Sequence, residues 1–466
     1  MKFSEIRWLV GPNRQQRTSR NHGLQLAAII AGLMLGTVNG QAQSSILSAQ
    51  NPSGVSATFN NTGSFDFNNP FFKSLGTNGR SCVTCHQPAQ GWTVSAAGVQ
   101  QRFKASNGTD PIFRAVDGAN CPTNATLGDA NAFSQLLNRG LIRIDRPLPS
   151  NAQFAIEVTE DPYNCSTPTD ISVYRRPLPS TNLRFLSAVM WDERETAPGK
   201  SIADDLVQQA IDATLGHAQA AAAPDLATAQ AIRDFESALY TAQVSDNRAG
   251  ILSADGANGG PIALSQQEFF AGINDPFGGN PTGAAFNSNV FNLFQKWAKA
   301  SDSRTEAARE SIKRGEQLFN TLPIPIFGVG GLNGPSDPNQ AVIMGTCSTC
   351  HNSPNVGDHS LDVPLDIGVT DASLRTSDDP LFTLTNKTTG QVVQSTDPGV
   401  AMVSGSWADI GKFKVPVLRG LASRAPYFHN GSAKTLEEVV DFYKNRFNLN
   451  LSGDQMNDLA NFLRSL

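Results

Sequence analysis

Two short stretches, Cys82-Val-Thr-Cys-His86 and Cys347-Ser-Thr-Cys-His351, decide how this chain is built. Both follow the pattern C-x-x-C-H, in which two thiols bond covalently to a porphyrin and the adjacent imidazole ligates its iron. The spacing suits one helical turn, which brings both sulfurs and the imidazole against one macrocycle. The sequence therefore predicts two c-type haems, each held by two cysteines and one histidine: Cys82, Cys85 and His86 for the first, and Cys347, Cys350 and His351 for the second.

Two other uses of paired cysteines fit this chain less well. A zinc ribbon places its two C-x-x-C knuckles about 15–20 residues apart, whereas more than half of the chain separates Cys85 from Cys347. A thioredoxin-like pair lies in a strand–helix–strand context, which neither motif has in its flanking sequence. Haem attachment is therefore favoured over both.

The first 42 residues predict export through a signal peptide. A basic stretch from Lys2 to Arg20 precedes an apolar run at 24–35, and the small residues Gly40-Gln-Ala follow as a cleavage site. The run is shorter than the ~20 residues of a spanning helix, so cleavage is favoured over a membrane anchor. The predicted location is the periplasm.

The charge of the mature chain bears on its partners. The leader carries five Lys/Arg and one Glu, so its removal takes the formal charge from −5 to −9. The remaining chain has no run of Lys/Arg of the kind that nucleic-acid binding requires. An acidic surface is better suited to a small basic electron-donor protein.

Cys121 and Cys165 are left over from the two motifs. In an oxidising compartment, one disulfide is favoured over two free thiols. Two buried free cysteines remain the alternative.

Length and periodicity predict two mainly helical domains, because 466 residues exceed the roughly 100–200 of one domain. We expect an N-terminal haem domain at 43–245 with a small β excursion, a Gly/Asn/Pro-rich linker or ordered lobe at 246–300, and a second haem domain at 301–466. The excursion is predicted at 141–144, 154–158 and 171–174. Helical periodicity runs from Ser201 to about Tyr240, resumes near Ser303, and closes with helices capped at Thr435 and Ser452.

Several stretches resemble the di-haem cytochrome c peroxidase and MauG superfamily. They are Lys412-Phe-Lys-Val-Pro-Val-Leu-Arg419, Ala425-Pro-Tyr-Phe-His-Asn-Gly-Ser432, Thr435-Leu-Glu-Glu438, and Val189-Met-Trp-Asp-Glu-Arg194. With both haem motifs in the family's order, the resemblance covers most of the mature chain. It implies two cytochrome c-like domains, and it indicates the superfamily rather than the substrate.

The resemblance implies that one haem binds peroxide while the other stores or relays electrons. Trp191 matches the family's tryptophan between the haems, where an indole divides one long electron transfer into two short ones. The alternative is an ordinary core tryptophan beside Met190.

The resemblance also indicates axial ligands. Peroxidases of the family often carry a second His on the first haem, and Arg102 occupies that position here, which favours an open first haem. On the second haem, the position that the family fills with Met or Tyr corresponds to Tyr443, counted from His429. Tyr443 as a packed core residue and Met402 as the ligand stay open as alternatives.

A distal acid/base must move a proton between the peroxide oxygens. The family uses a Glu, and Ile211 stands at that position here, with Asp212 next to it and His217 further on. His217 is favoured over Asp212, and a surface histidine is the alternative for His217.

The leading function is reduction of hydrogen peroxide with electrons from a small cytochrome c or cupredoxin-like donor. MauG-like oxidation of a partner protein's Trp or Tyr, and a non-enzymatic electron-transfer cytochrome, are the alternatives. The resemblance also implies a calcium ion held by backbone carbonyls, and a homodimer stays open.

Overall fold

The longer helices begin where the sequence supplies a capping side chain. In the computed structural model, which describes residues 44–333 and 341–466, each described helix of eleven or more residues follows a Ser, Thr or Asp. The side-chain oxygen of this residue accepts a backbone N–H of the first turn. Thr435 and Ser452 act in this way, as predicted. The predicted signal peptide, residues 1–42, lies outside the described residues.

The described helices are α1 Ala96–Ser106, α2 Ser134–Arg139, α3 Ile202–Gly216, α4 Leu226–Ser237, α5 Pro261–Ser265, α6 Ser303–Thr321, α7 Cys347–Cys350, α8 Ala401–Ser404, α9 Leu436–Arg446 and α10 Gly453–Arg464. The described strands are β1 Ile46–Asn51, β2 Gly54–Asn60, β3 Ile142–Pro147, β4 Phe154–Glu160, β5 Asp170–Arg175, β6 Leu239–Asp246, β7 Gly250–Ile251, β8 Ile324–Phe327, β9 Val342–Gly345, β10 Leu381–Asn386 and β11 Val392–Ser395. Short 3-10 turns connect many of these elements, and one of them, Cys82–Thr84, carries the first motif.

The strands pair into small antiparallel sheets. One four-stranded sheet has the order β1-β2-β6-β7, β3 pairs with β5, and β8 pairs with β9. The three predicted strands between 141 and 174 are confirmed as β3, β4 and β5. The predicted disulfide between Cys121 and Cys165 is also present, with the two Cα atoms 5.5 Å apart.

A fourth sheet joins strands from the two halves of the chain. β4 pairs with β10, so that Ile156 lies opposite Leu384, and β11 completes the sheet as the neighbour of β10. Alternate residues of both paired strands point into an apolar core, since a strand turns successive side chains to opposite faces. This core contains Phe154, Phe382 and Met402.

Several side chains of the segment 246–300 are buried in the core of the second half. Phe291, Phe294 and Trp297 are buried in the same cluster as side chains of α6, α9 and α10. The ring of Phe291 lies 5.3 Å from that of Phe462 in an edge-to-face arrangement. Both haem motifs lie in one compact unit, Gln43–Leu466.

The prediction of a mainly helical fold is met only in part, because the chain mixes helices with strands. The helical run predicted to reach Tyr240 ends at Ser237, and the following residues form β6. β6 pairs with the distant strand β2, and its residues Tyr240, Thr241 and Val244 favour a strand. No helix among the described residues combines the length and the apolar character that crossing a bilayer requires.

Candidate active site

Both cysteine motifs form one capped turn. Cys82–Thr84 is a 3-10 turn and Cys347–Cys350 is helix α7. In each motif, the threonine before the second cysteine accepts a 3.0 Å hydrogen bond from the backbone N–H that precedes the first cysteine. The cysteines and the histidine of the first motif consequently line one cleft, the first cleft, and those of the second motif line another, the second cleft.

The two motif histidines are oriented by backbone carbonyls. His86 Nδ1 lies 3.0 Å from the carbonyl oxygen of Trp92, and His351 Nδ1 lies 2.6 Å from that of Gly357. Because a carbonyl only accepts, Nδ1 carries the proton and Nε2 is free to ligate a metal. Burial is the main cause that lowers the pKa of each histidine to about 4, so both imidazoles are in the neutral form that binds iron.

The residues around the motifs fit a covalently bound haem. All four motif thiols are unpaired, and burial raises the pKa of Cys347 and Cys350 to about 12. Arg176 and Arg424 line both clefts. The described contacts of their guanidinium groups are to backbone carbonyls. Two buried cations without a carboxylate partner suit the negative propionates of a porphyrin.

The first cleft encloses about 1570 Å³, solvent included, and combines apolar walls with polar side chains. Helix α3 supplies much of one wall through Leu206, Ala210 and Thr214. The polar side chains that line the first cleft include Arg80, Asp117, Ser180, Thr181, Gln209, His217 and Glu236.

His217 is a polar group of this cleft whose imidazole is held by a buried carboxylate. It caps the C-terminus of α3, and its Nδ1 contacts the Asp117 carboxylate, which in turn pairs with Arg80. The His217 side chain keeps 40% of its surface accessible, against 6% for that of Asp117. The structure therefore brings a fixed histidine to the first cleft, and the partners Asp117 and Arg80 were not identified from the sequence.

Glu236 is a buried carboxyl group in the same cleft. It lies near the end of α4, is 5% exposed, and has no hydrogen-bond or ion-pair partner among the described residues. Burial raises its pKa to about 8, so the group is neutral at pH 7. In the sequence it is one glutamate of a helix and nothing marks it as buried.

The second cleft encloses about 1760 Å³, solvent included, and its walls are mainly apolar. Tyr443 on α9 lines it and packs against the ring of Phe447 at 6.3 Å. Burial, followed by the nearby Cys350 and Cys347, raises the pKa of Tyr443 above its usual value. No described residue hydrogen-bonds its hydroxyl, which leaves the phenol available to a ligand.

Trp191 lies in a wall that the two clefts share. Its indole Nε1–H donates to the carbonyl oxygen of Arg176 at 2.8 Å, and its own carbonyl accepts from the N–H of Lys414 at 2.9 Å. The indole lies edge-on to the imidazole of His429, with centroids 6.1 Å apart. A side chain that relays electrons between cofactors in the two clefts would have to lie in such a position.

Asp192 anchors Trp191 from the next position. Its carboxylate is fully buried and pairs with Arg175 at 2.5 Å, Arg194 at 2.8 Å and Arg146 at 3.6 Å. Burial alone would raise the pKa of Asp192, but the three arginines lower it well below its usual range. The ionised carboxylate thus fixes the backbone beside the indole.

Three other residues named from the sequence lie away from the clefts. Asp212 is exposed on α3, where it accepts a hydrogen bond from Gln208. Arg102 pairs with Asp110 and donates to the carbonyl oxygen of Thr84. Met402 is buried in the core beneath the β4–β10 sheet rather than in the wall of the second cleft.

Similar proteins were found by sequence and by structure. A cytochrome-c peroxidase, IdrP2, of Denitromonas iodatirespirans is 36% identical over 132 residues, 26% of this chain and 36% of that protein. The cytochrome c551 peroxidase of Nitrosomonas europaea is 38% identical over 65 residues, 14% of this chain and 20% of that protein. A MauG-like protein associated with microbial copper homeostasis covers 85% of both chains at 14% identity, with a TM-score of 0.39.

No protein-family model matches the chain. The matched segments span about a third or less of the length of these curated relatives. Their names are those of cytochrome-c peroxidases, and this confirms the resemblance to the superfamily that the motifs indicate.

Proposed function

We propose that this chain is a di-haem c-type cytochrome that reduces hydrogen peroxide in the periplasm with electrons from a small redox protein. The observation that carries the proposal is the first cleft, where a haem-attachment motif lines the same cavity as a histidine held by a buried carboxylate. The relatives named as cytochrome-c peroxidases support the same chemistry.

A haem in the first cleft would supply an iron that binds peroxide and accepts electrons. His86 would ligate it, and Cys82 and Cys85 would hold its edge. The overall reaction takes one hydrogen peroxide, two electrons and two protons to two waters. His217 carries a proton from the peroxide oxygen that binds to the oxygen that leaves as water, which is the task of a general acid/base.

The second cleft suits electron storage better than proton chemistry. His351 and Tyr443 would hold its haem, and a phenolate ligand stabilises oxidised iron. Trp191 would pass electrons between the two haems, and the proposal draws support from its position in the shared wall. A small reduced cytochrome c or cupredoxin is the expected donor.

A tyrosine rather than a methionine at the second haem favours one further candidate, MauG-like oxidation of a Trp or Tyr in a partner protein. Both reactions begin with peroxide at the first cleft and differ in where electrons enter. Peroxide consumption that requires a reduced donor supports the peroxidase, whereas donor-independent oxidation of a partner side chain supports the MauG-like reaction.

The test is steady-state peroxide consumption by the two-haem protein, with wild type compared against Trp191→Phe. Phenylalanine keeps an apolar ring but is far harder to oxidise, so turnover should fall by orders of magnitude while both haems stay attached. Trp407→Phe is the matched control, because Trp407 packs in the core of the β4–β10 sheet, outside both clefts. A wild-type protein that consumes no peroxide would overturn the function, and full turnover by Trp191→Phe would overturn the relay.

A further inference from the structure

The environment of His217 is built around one carboxylate. Asp117 Oδ1 accepts from Arg80 Nη1, and Asp117 Oδ2 contacts His217 Nδ1. With both oxygens engaged, the carboxylate cannot rotate without breaking a charged contact. The imidazole plane of His217 is fixed in consequence.

Arg80 is itself fixed by backbone carbonyls. Its Nε donates to the carbonyl oxygen of Pro111 and its Nη2 to that of Ile112, both at 2.8 Å. These oxygens belong to the 3-10 turn Pro111–Phe113, which the Asp110 side chain caps. The support of Asp117 is therefore rigid on the side opposite His217.

The loop that leads into the first motif also holds the backbone of His217. Asn78 Nδ2 donates to the carbonyl oxygen of His217 at 2.8 Å, and the Thr77 N–H donates to that of Ala218 at 3.1 Å. Gly76 permits this close approach, since a Cβ there would lie 1.9 Å from the Ala218 oxygen. The haem-attachment turn and His217 consequently form one unit.

The charge of Asp117 determines which imidazole nitrogen carries the proton. Burial alone would raise the pKa of Asp117, but Arg80 and His217 together lower it below its usual value. An ionised carboxylate only accepts hydrogen bonds. Nδ1 of His217 is therefore protonated, and in the neutral imidazole the lone pair lies on Nε2.

We propose that Asp117 is the positioning residue of the first cleft, which holds His217 in the tautomer and orientation that let Nε2 accept a proton from peroxide. The inference rests on the proposed peroxide chemistry. In the step, an O–H bond of hydrogen peroxide breaks and an Nε2–H bond forms, which gives a hydroperoxide anion and an imidazolium. The paired Asp117 carboxylate stabilises that imidazolium, as a buried carboxylate does for a catalytic histidine in other enzymes.

The decisive variant is Asp117→Asn in the two-haem protein. The asparagine amide can donate to Nδ1, which moves the proton of His217 to Nε2 and removes the base from the cleft. The rate constant for reaction with peroxide should fall by about 10²- to 10⁴-fold, the usual contribution of a general acid/base.

Ligand binding gives a readout that does not depend on turnover. Hydrogen cyanide loses a proton when it binds ferric haem, and carbon monoxide binds ferrous haem without a proton change. Asp117→Asn should therefore slow cyanide association and leave carbon monoxide association unchanged. Equal slowing of both ligands would indicate a collapsed cleft and would overturn the positioning role.

Two controls separate positioning from folding. Asp458→Asn breaks another Arg–Asp pair with a buried carboxylate, that of Arg314 and Asp458 outside the first cleft, and should leave cyanide association unchanged. Asp117→Ala leaves a gap that formate can enter, so added formate should restore cyanide association. Failure of formate to restore it in a protein with full haem content would count against the inference.

A double-mutant cycle with His217→Ala completes the test. If Asp117 acts through His217, adding Asp117→Asn to His217→Ala should not lower the rate constant for reaction with peroxide any further. If the two substitutions instead lower the rate constant independently, so that their fold-losses multiply, the inference is overturned. The peroxidase activity of the wild type would be unaffected by that result. A wild type without peroxide activity would instead overturn the proposed function. The cyanide association rates would then still test whether Asp117 positions His217.

Discussion

The two haem-attachment regions match each other at the motif and differ on the walls opposite it. In both, a threonine caps the cysteine turn, and the histidine donates to a carbonyl six positions further on. Both carbonyls belong to residues with a left-handed backbone, Trp92 at φ 59° and Gly357 at φ 81°. Glycine adopts this conformation freely, whereas the buried Trp92 must be held in it by its surroundings.

The walls opposite the two motifs differ in the side chains that they offer. His217, Asp117 and Glu236 give the first cleft groups that take up or release protons. The second cleft is lined mainly by leucine, isoleucine, valine and phenylalanine side chains, with Tyr443 and His429 among its polar groups. The proposed function therefore assigns proton-coupled chemistry to the first cleft and storage of electrons to the second.

The largest effect is expected when the cysteines of one motif at a time are replaced. Cys82→Ala with Cys85→Ala, and Cys347→Ala with Cys350→Ala, should each reduce the covalent haem content from two per chain to one in a pyridine haemochrome assay. The first pair should also abolish reaction with peroxide, whereas the second should leave that reaction and remove donor-dependent turnover.

The disulfide supplies a matched control for the loss of two cysteines. Cys121→Ala with Cys165→Ala should keep two haems per chain, although loss of a native disulfide commonly costs about 2–5 kcal/mol of stability. Retention of two haems after either motif is removed would contradict the attachment assignment.

A smaller effect is expected from Tyr443→Phe, which tests the ligand of the second cleft. The spectrum and the reduction potential of the second haem should change, while those of the first stay as they were, because the ring still packs against Phe447. Tyr427→Phe removes another hydroxyl from the same cleft, one that donates to the Leu421 carbonyl at 3.0 Å. It should cost about 1 kcal/mol and leave both spectra unchanged. An unchanged spectrum in Tyr443→Phe would return this residue to a packing role.

The smallest effect concerns the pH dependence of stability and the neutral carboxyl of the first cleft. Burial raises the pKa of Glu236 to about 8 from its ordinary value of 4.5. Between these two pH values the unfolded chain has released the proton and the folded chain has kept it, so rising pH favours unfolding by at most about 1.4 kcal/mol per pH unit.

Glu236→Gln should abolish this contribution. The unfolding temperature of the two-haem protein is measured by calorimetry. That of the variant should exceed that of the wild type by more at pH 8 than at pH 5. An equal difference at both pH values would mean that the carboxyl finds a partner in the loaded cleft.

The sequence predicted the two cysteine turns better than the walls of the clefts around them. The two C-x-x-C-H turns, the disulfide and strands β3 to β5 depend on residues that lie close together or on a cysteine count. His217 was identified, but Asp117 and Arg80 were not, because contacts between residues so far apart in the chain leave no local pattern. Strand β6 was missed for the same reason, since its partner β2 lies far away in the chain and an alanine-rich helical run directly precedes it.

The sheet that β4 forms with β10 has a consequence for how the polypeptide assembles. β4 belongs to the first half, and its partner is made only after more than two hundred further residues. During synthesis β4 has an open edge, of the kind that pairs readily with other chains. Contacts of such long sequence separation slow folding. The first half therefore stays incompletely folded until the second half has been made. The two halves are consequently poor candidates for separate expression, and a break between them would expose an aggregation-prone edge.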